Sequence, residues 1–226
     1  MFHKIWKPFL AGSFVSVAVA TNIYFHKKRN QSASHQKITL ELSQNIIRIT
    51  GELDWNTEQD IRRQLKKIPS ESEIKLILTT PGGDNIVTQI IFRLLLNHPG
   101  GYIAYVKEES YSGGTIIVLG AKEIVMDNYS LLSKIDPQIS ADGHYTYSAL
   151  DKNIIENPLG NRMKESLNLV EYHVKLTSYP NEVKNKIIEE LIYSEYPHGK
   201  VYDYNECHEI GLRVRRPTND ELRFFE

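Results

Sequence analysis

Two stretches of this sequence share one local pattern, ILTTPGGD at residues 77–84 and SYSGGTIIVLG at residues 110–120. In each, a β-rich run leads into adjacent glycines and then into a helical apolar stripe, which predicts a strand, a tight turn and a helix. Such turns lie at the carboxyl ends of parallel strands, where α/β domains assemble their sites. Adjacent glycines let backbone N–H groups approach a ligand closely. Either stretch alone fits an ordinary turn, but the two together favour a site.

Ser112 occupies a special position in the second stretch. It lies at the predicted start of a helix, where the positive end of the helix dipole favours a developing negative charge. This is a suitable location for a nucleophile. The alternative interpretation is that Ser112 caps the helix and that Gly113 and Gly114 allow close contact between helix and sheet.

The residues on either side of these stretches alternate between strand-like and helical patterns, which is typical of an α/β domain. We predict this domain at residues 38–216, followed by a tail at 217–226. Predicted strands cover residues 46–49, 74–78, 102–106, 124–126 and 131–135. Predicted helices cover residues 57–68, 85–95, 112–120, 167–174 and 183–191, with Asp84 or Asn85 as the cap of the second helix.

Composition excludes several classes of protein. The chain has 226 residues, with 27 Lys and Arg against 28 Asp and Glu, so nothing in its overall charge favours nucleic acid as a partner. The single cysteine, Cys207, rules out an internal disulfide and a cysteine-based zinc site. The histidines show no metal-ligand spacing, so we expect no metal.

The amino-terminal residues predict a membrane anchor. Residues 8–25 carry no charge, and a helix of that length spans about 27 Å, close to the thickness of a hydrocarbon core. The basic run at 26–29 favours a cytoplasmic location for the domain that follows. We therefore predict an anchor at residues 1–29 and a linker at 30–37. A cleaved secretory signal is the alternative, because Ala18-Val19-Ala20 resembles a signal peptidase site.

The central block also resembles a known family. ILTTPGGD, SYSGGTIIVLGAKEIVMDNYSLL and KIDPQI resemble the serine dehydrogenase proteinases, which are membrane-associated relatives of signal peptide peptidase A and of the Clp protease proteolytic subunit. The resemblance covers residues 45–214 and implies a Clp protease/crotonase-like fold of repeated ββα units. It also implies that Ser112 is the nucleophile and that Gly82 or Gly83, together with Gly113, forms the oxyanion hole. Relatives act as rings or stacked oligomers, so we expect a homo-oligomer.

A serine nucleophile requires a base, and the resemblance offers several candidates. No histidine occupies the Clp-type position near residues 135–137. Relatives with a Ser-Lys dyad carry the lysine about 40 to 50 residues after the serine, which favours Lys164 and then Lys152. Such a lysine acts only if burial lowers its pKa. His198 could orient the site or act as the base, and Lys175 and Lys134 are further candidates.

The sequence departs from the family pattern at two places near the predicted site. Most relatives have Ser-Ala-Gly where this chain has Ser112-Gly113-Gly114. A Gly-Pro usually precedes the Ile-Asp-Pro-Gln motif, whereas this chain has Ser133-Lys134, and the lysine adds an unexpected cation near the site.

These observations predict a membrane-anchored serine peptidase that cleaves peptide bonds by acyl transfer. One alternative is a crotonase-like acyl-thioester enzyme, which would use the same paired amides but would not need Ser112. Another is a catalytically inactive membrane scaffold. The sequence contains no Gly-x-Gly-x-x-Gly fingerprint, so we expect no dinucleotide cofactor, and we expect no pyridoxal phosphate.

Overall fold

The computed structural model describes residues 40–41, 45–141, 145–150 and 158–226. The predicted anchor, the linker and the first residues of the predicted domain lie outside these ranges, and so does Lys152. Within them, no helix is both long enough and apolar enough to cross a lipid bilayer.

The described residues form one main sheet and a separate hairpin. The strands are β1 Leu40–Glu41, β2 Ile46–Thr50, β3 Ile74–Thr80, β4 Tyr102–Ser110, β5 Glu123–Met126, β6 Leu131–Ser133, β7 Gln138–Ala141, β8 Tyr145–Ser148, β9 Val201–Tyr202 and β10 Val214–Arg215. Strands β2 to β5 and β10 are parallel to one another in the order β2-β3-β4-β5-β10, and β1 adds an antiparallel edge next to β2. Strand β6 continues the sheet beside the end of β4, and β9 pairs with β6.

Helices connect the parallel strands. Those described are α1 Trp55–Leu65, α2 Asn85–Leu96, α3 Gly113–Leu119, α4 Pro158–Leu176, α5 Asn181–Ile187 and α6 Tyr204–Ile210. A π-helical turn at Ile188–Tyr193 continues α5, and a 3-10 helix at Asn219–Phe224 ends the chain. The alternation of strand and helix predicted from the sequence is therefore confirmed.

Both faces of the sheet are covered. Alternate residues of β2 and β3, such as Ile47 and Leu76, pack with the helices in the larger apolar core. The residues between them, such as Ile46 and Ile77, pack with Tyr105 and with Phe224 of the 3-10 helix on the other face. Burial on both sides accounts for the nearly continuous apolar character of β3, which is typical of parallel strands.

Ionic and polar contacts fasten the carboxyl-terminal segment to the sheet. Glu221 accepts hydrogen bonds from Arg215 Nη1 at 2.7 Å, from Arg215 Nη2 at 2.8 Å and from the Tyr105 hydroxyl at 2.8 Å. The hydrogen bonds from Arg215 hold the pKa of Glu221 well below its usual range. The residues predicted as a tail thus include a segment that covers part of the sheet.

Helix boundaries follow local capping. The predicted Asp84 cap is confirmed, since its carboxylate accepts hydrogen bonds from the Ile86 and Val87 amides. Helix α1 begins at Trp55, earlier than the predicted start at Thr57, because the Asp54 side chain accepts from the Thr57 amide and thereby caps the helix. The strand predicted at residues 131–135 ends at Ser133.

Candidate active site

The two glycine turns lie against each other. Strands β3 and β4 are adjacent and parallel, and Thr80 pairs with Ser110 at their carboxyl ends. The Tyr111 amide then donates to the Thr80 carbonyl at 2.9 Å. The approach is so close that a Cβ on Gly82 would lie 2.9 Å from Ser112 Cβ. The turn after β3 therefore needs glycine at this position.

Ser112 has an unusual backbone conformation. Its φ of 48° and ψ of −113° lie outside the regions that a non-glycine residue ordinarily adopts. The Ser112 amide donates to Ser133 Oγ at 2.8 Å, which helps to hold this conformation. Ser112 Oγ forms no hydrogen bond with any residue that the structure describes. Its hydroxyl is thus available to a substrate or a base.

Two backbone amides beside Ser112 are also without acceptors. The Gly82 amide is engaged, because it donates to Thr80 Oγ1 at 3.1 Å. On either side of Gly83, the Leu53 amide donates to the Gly82 carbonyl and the Asp84 amide donates to the Leu53 carbonyl. Among the described residues, this leaves the Gly83 and Gly113 amides without a hydrogen-bond acceptor. The structure therefore distinguishes between the two glycines of the first turn.

A small pocket of about 50 Å³ lies beside Ser112. Gly83, Gly113 and Ser112 form part of its wall, and none of the described residues that line it carries a charged side chain. The remaining lining residues are Asn85, Thr88, Ile116, Ile135, Pro137 and Val170. The lining contributed by the described residues is thus neutral and mainly apolar, and it lies next to two free amides and a free hydroxyl.

Only alternate residues of the segment at 133–137 lie next to this pocket. Ser133 contacts the Ser112 amide, and Ile135 and Pro137 line the pocket. The intervening side chains, Lys134 and Asp136, make their hydrogen bonds with a different set of residues, which includes 194–198. This is the alternation expected of extended backbone.

Lys134 and Asp136 are both buried, and each is satisfied by hydrogen bonds. Lys134 Nζ donates to the carbonyls of Ser194 at 2.7 Å and Tyr196 at 2.8 Å. Burial lowers the pKa of Lys134, and the Asp136 carboxylate partly opposes this effect. The cation noted in the sequence is therefore held by carbonyl groups and does not line the pocket.

Asp136 pairs with His198. Asp136 Oδ1 lies 2.8 Å from His198 Nδ1, and Asp136 Oδ2 accepts from Ser148 Oγ at 2.6 Å and from Gln138 Nε2 at 2.8 Å. Burial alone would raise the pKa of Asp136, but the hydrogen bonds from His198 and Ser148 lower it. His198 does not line the Ser112 pocket, so the structure places it with Asp136 on the other side of this segment.

The lysine candidates are distributed as follows. Lys164 is exposed on α4 and does not line the pocket. Lys175 is exposed and donates to Glu171 at 2.9 Å. Lys152 lies outside the described residues. No lysine of the described part of the chain lines the pocket beside Ser112.

Three hydroxyl residues at this site were not predicted as functional. Ser133 holds the Ser112 amide, Thr80 occupies the Gly82 amide, and Thr88 packs under the start of α3. Ser133 attracted notice only as a departure from the family pattern. No pattern of residue types indicates the other two, because the Thr80 contact depends on a rotamer and Thr88 meets Gly113 through a tertiary contact.

Thr88 also accounts for the glycine at position 113. A Cβ on Gly113 would lie 2.4 Å from Thr88 Oγ1 and 3.0 Å from Thr88 Cγ2. In this chain the Thr88 side chain fills the space that a Cβ at position 113 would take. Gly113 and Thr88 are therefore sterically coupled.

Other chemistries find less support among the described residues. Cys207 is fully buried, and burial raises the pKa of its thiol to about 12, so it does not provide a thiolate near neutral pH. No group of three or more His, Cys, Asp or Glu side chains in the described ranges is arranged to hold a metal ion.

Comparison with known proteins identifies the fold. Residues 35–222 match the family of ClpP-like SDH-type serine proteinases. The chain is similar to two uncharacterized proteins of Methanocaldococcus jannaschii, with 27% identity over 177 residues and 24% identity over 180 residues. These matches cover 73% and 74% of this chain, but the chain spans only 61% and 60% of the length of the two relatives.

Solved structures give the same fold. The chain is similar to a serine-to-alanine variant of the 1510-N membrane-bound stomatin-specific protease, with a TM-score of 0.57, 18% identity, and coverage of 78% of this chain and 81% of that chain. For a lysine-to-alanine variant of that protease in complex with a substrate peptide, the TM-score is 0.58 and the identity 18%, with coverage of 77% of this chain and 75% of that chain. For an asparagine-to-aspartate variant of ClpP1 from Listeria monocytogenes, the TM-score is 0.54 and the identity 15%, with coverage of 80% of this chain and 96% of that chain. The fold is thus a ClpP-like α/β fold with a parallel sheet.

Proposed function

Because the chain belongs to the family of ClpP-like SDH-type serine proteinases, we propose that it is a serine peptidase with Ser112 as its nucleophile. The observation that supports this assignment is the grouping of the free Ser112 hydroxyl with the Gly83 and Gly113 amides around one pocket. Amide donors of this kind stabilise the negative charge that develops on a carbonyl oxygen during acyl transfer.

The proposed reaction has two stages. Ser112 Oγ loses its proton to a base and bonds to the peptide carbonyl carbon, while the carbonyl oxygen accepts hydrogen bonds from the Gly83 and Gly113 amides. The C–N bond then breaks, and the leaving amine takes the proton from the base. Water next attacks the acyl-enzyme, which releases the carboxyl product and restores Ser112.

We propose Lys152 as the base, in preference to Lys164. The Ala149 amide donates to the Pro137 carbonyl at 2.9 Å, and Pro137 lines the pocket beside Ser112. Lys152 follows Ala149 by three residues, a span of at most about 11 Å. Lys164, by contrast, is exposed, and a neutral amine near pH 7 needs burial. The lysine-to-alanine variant of the stomatin-specific protease, which holds a substrate peptide, is consistent with a Ser-Lys pair by analogy.

Active-site labelling tests the proposed function. A fluorophosphonate should react with the full-length chain in detergent and attach one phosphonyl group, which peptide mass mapping should locate at Ser112. Labelling at a different serine, or no labelling of the folded chain, would refute the assignment.

Changing Gly113 to alanine should lower the rate of labelling. The new Cβ would clash with Thr88 Oγ1 and displace the Gly113 amide, and the loss of one oxyanion donor typically costs about 100- to 1,000-fold. The double variant Gly113→Ala/Thr88→Ala removes the clash and should recover most of the rate. Stopped-time labelling measures each rate.

Gly199→Ala is the matched control for this pair, because nothing lies within 4 Å of the position that its Cβ would take. It should label at the wild-type rate. If Gly113→Ala labels as fast as the wild type, or if Thr88→Ala brings no recovery, the steric account of Gly113 is wrong.

The proposal includes a membrane anchor at residues 1–29, a cytoplasmic domain and self-association. The uncharged run at residues 8–25 supports the anchor. The full-length chain should remain in the membrane pellet after alkaline carbonate extraction, and its intact mass should include residues 1–20. A mass that begins after Ala20 would instead indicate a cleaved signal.

A further inference from the structure

The backbone of Ser112 is held on both sides of its strained Cα. Its carbonyl accepts from the Ile116 amide at 3.2 Å, which is the first main-chain bond of α3. Its amide donates to Ser133 Oγ at 2.8 Å, and this bond comes from another element and depends on a side chain. A residue at φ 48° keeps such a conformation only where the surrounding structure enforces it. The Ser133 hydroxyl is therefore a part of the restraint that a substitution can remove.

The Ser133 hydroxyl is arranged to accept a hydrogen bond. It donates its own proton to the Lys134 carbonyl at 3.0 Å, which leaves its lone pairs for the Ser112 amide. The Ser133 amide contacts the same turn at a second point, because it donates to Thr115 Oγ1 at 3.0 Å. Thr115 Oγ1 in turn donates to the Ser110 carbonyl at 2.7 Å. Ser133 thus fastens the turn that carries Ser112 at two places.

The segment that carries Ser133 is itself firmly held. The Lys134 amide donates to the Lys200 carbonyl at 3.2 Å, and the Ile135 amide donates to the Leu191 carbonyl at 2.8 Å. The buried Lys134 side chain adds its two bonds to main-chain carbonyls. Ser133 is only 3% exposed, so little water reaches its hydroxyl. A buried acceptor on such a segment can resist the relaxation of a strained backbone.

The orientation of Ser112 affects how fast it reacts. The direction of its Cα–Cβ bond follows from the backbone, so the position of Oγ relative to the Gly83 and Gly113 amides depends on φ. A displacement of about 1 Å can lower a rate by about 100-fold. Ser133 does not line the pocket beside Ser112. We infer that Ser133 is a positioning residue, whose hydroxyl holds Ser112 in its reactive orientation and thereby sets the rate of attack and not the affinity for substrate. The inference rests on the proposed function.

Replacing Ser133 with alanine tests this inference. The full-length chain in detergent is treated with a fluorophosphonate, and the rate constant for labelling at Ser112 is measured. Without the hydroxyl the backbone can relax, so we expect this rate constant to fall at least about tenfold. For a fluorogenic peptide, kcat should fall by the same factor while KM stays within about twofold, the pattern of a change that acts on the transition state. Differential scanning fluorimetry checks that the variant is folded at the assay temperature.

Ser130→Ala is the matched control. Ser130 is 1% exposed and its Oγ accepts from the Asp127 amide at 2.8 Å, so this change removes a bond of the same kind and length from the loop before β6. Ser130 does not line the pocket, and its variant should label at the wild-type rate even if it melts at a lower temperature. Ser133→Thr keeps the hydroxyl and should recover most of the rate that Ser133→Ala loses.

The outcomes separate the inference from the proposed function. If Ser133→Ala labels at the wild-type rate, or if Ser130→Ala slows labelling as much, the inference is wrong while the nucleophile stands. The same conclusion follows if Ser133→Ala raises KM and leaves kcat unchanged, or if a folded Ser133→Thr variant is as slow as Ser133→Ala. If the wild-type chain is not labelled at Ser112, the proposed function fails and the inference fails with it.

Discussion

Replacing Ser112 with alanine should reduce peptide hydrolysis by at least about 10⁴-fold and abolish fluorophosphonate labelling. Removal of the nucleophile eliminates the covalent pathway, and in serine proteases such a change costs up to about 10⁶-fold in turnover. Alanine keeps the Cβ of serine, so the backbone strain at φ 48° should be the same in the variant as in the wild type. The variant should therefore fold with an unchanged melting temperature, as measured by differential scanning fluorimetry.

Ser70→Ala is the matched control for this experiment. Ser70 is exposed in the loop between α1 and β3 and does not line the Ser112 pocket. It should retain wild-type hydrolysis and labelling. Covalent labelling that persists in Ser112→Ala at the wild-type rate would overturn the assignment, and so would hydrolysis that survives in this variant.

Replacing Lys152 with alanine should lower hydrolysis by about 10²- to 10⁴-fold, the usual contribution of a general base. Lys152→Arg should be equally impaired, because a guanidinium keeps the positive charge but does not give up its proton at neutral pH. Lys164→Ala should stay within about threefold of the wild type, since Lys164 is exposed and does not line the pocket. The measurement is kcat/KM for a fluorogenic peptide, with circular dichroism as the check on folding.

The lysine variants lead to clear alternatives. If Lys164→Ala is inactive while Lys152→Ala is not, the base is Lys164 and α4 must reorient when substrate binds. If Lys152→Arg keeps full activity, the residue acts through its charge and is not the base. If both alanine variants are fully active, the Ser-Lys dyad is wrong, and His198 becomes the next residue to replace.

Sequence reasoning located the two glycine turns, because a strand, adjacent glycines and a helix form a local pattern. It left Gly82 and Gly83 as alternative oxyanion donors, and contacts in the structure distinguish between them. The Gly82 amide is occupied by Thr80 Oγ1, and the orientation of Gly83 follows from pairing with Leu53. The Thr80 contact is local but depends on a rotamer, and the Leu53 contact joins residues 30 positions apart. Neither is visible in a pattern of residue types.

The same limit applies to the charged residues. The number of residues between Ser112 and the lysine favours Lys164, but in the structure Lys164 lies with Asn168 and Lys175 on the exposed side of α4. Asp136 belongs to the Ile-Asp-Pro-Gln motif, and the sequence gives no sign that it pairs with His198. Their hydrogen bond spans 62 positions and depends on the path of the chain after the π-helical turn.

Neighbouring side chains at residues 133–137 lie on opposite faces of the segment. The number of residues in it is therefore more important for the site than their types. An insertion or deletion of a single residue between Leu132 and Asp136 would exchange the two faces, because neighbouring side chains in extended backbone point in opposite directions. A buried ammonium or carboxylate would then enter the recess beside Ser112, and the hydroxyl that holds the Ser112 amide would turn away. Homologous chains should therefore vary in residue type here while conserving the number of residues.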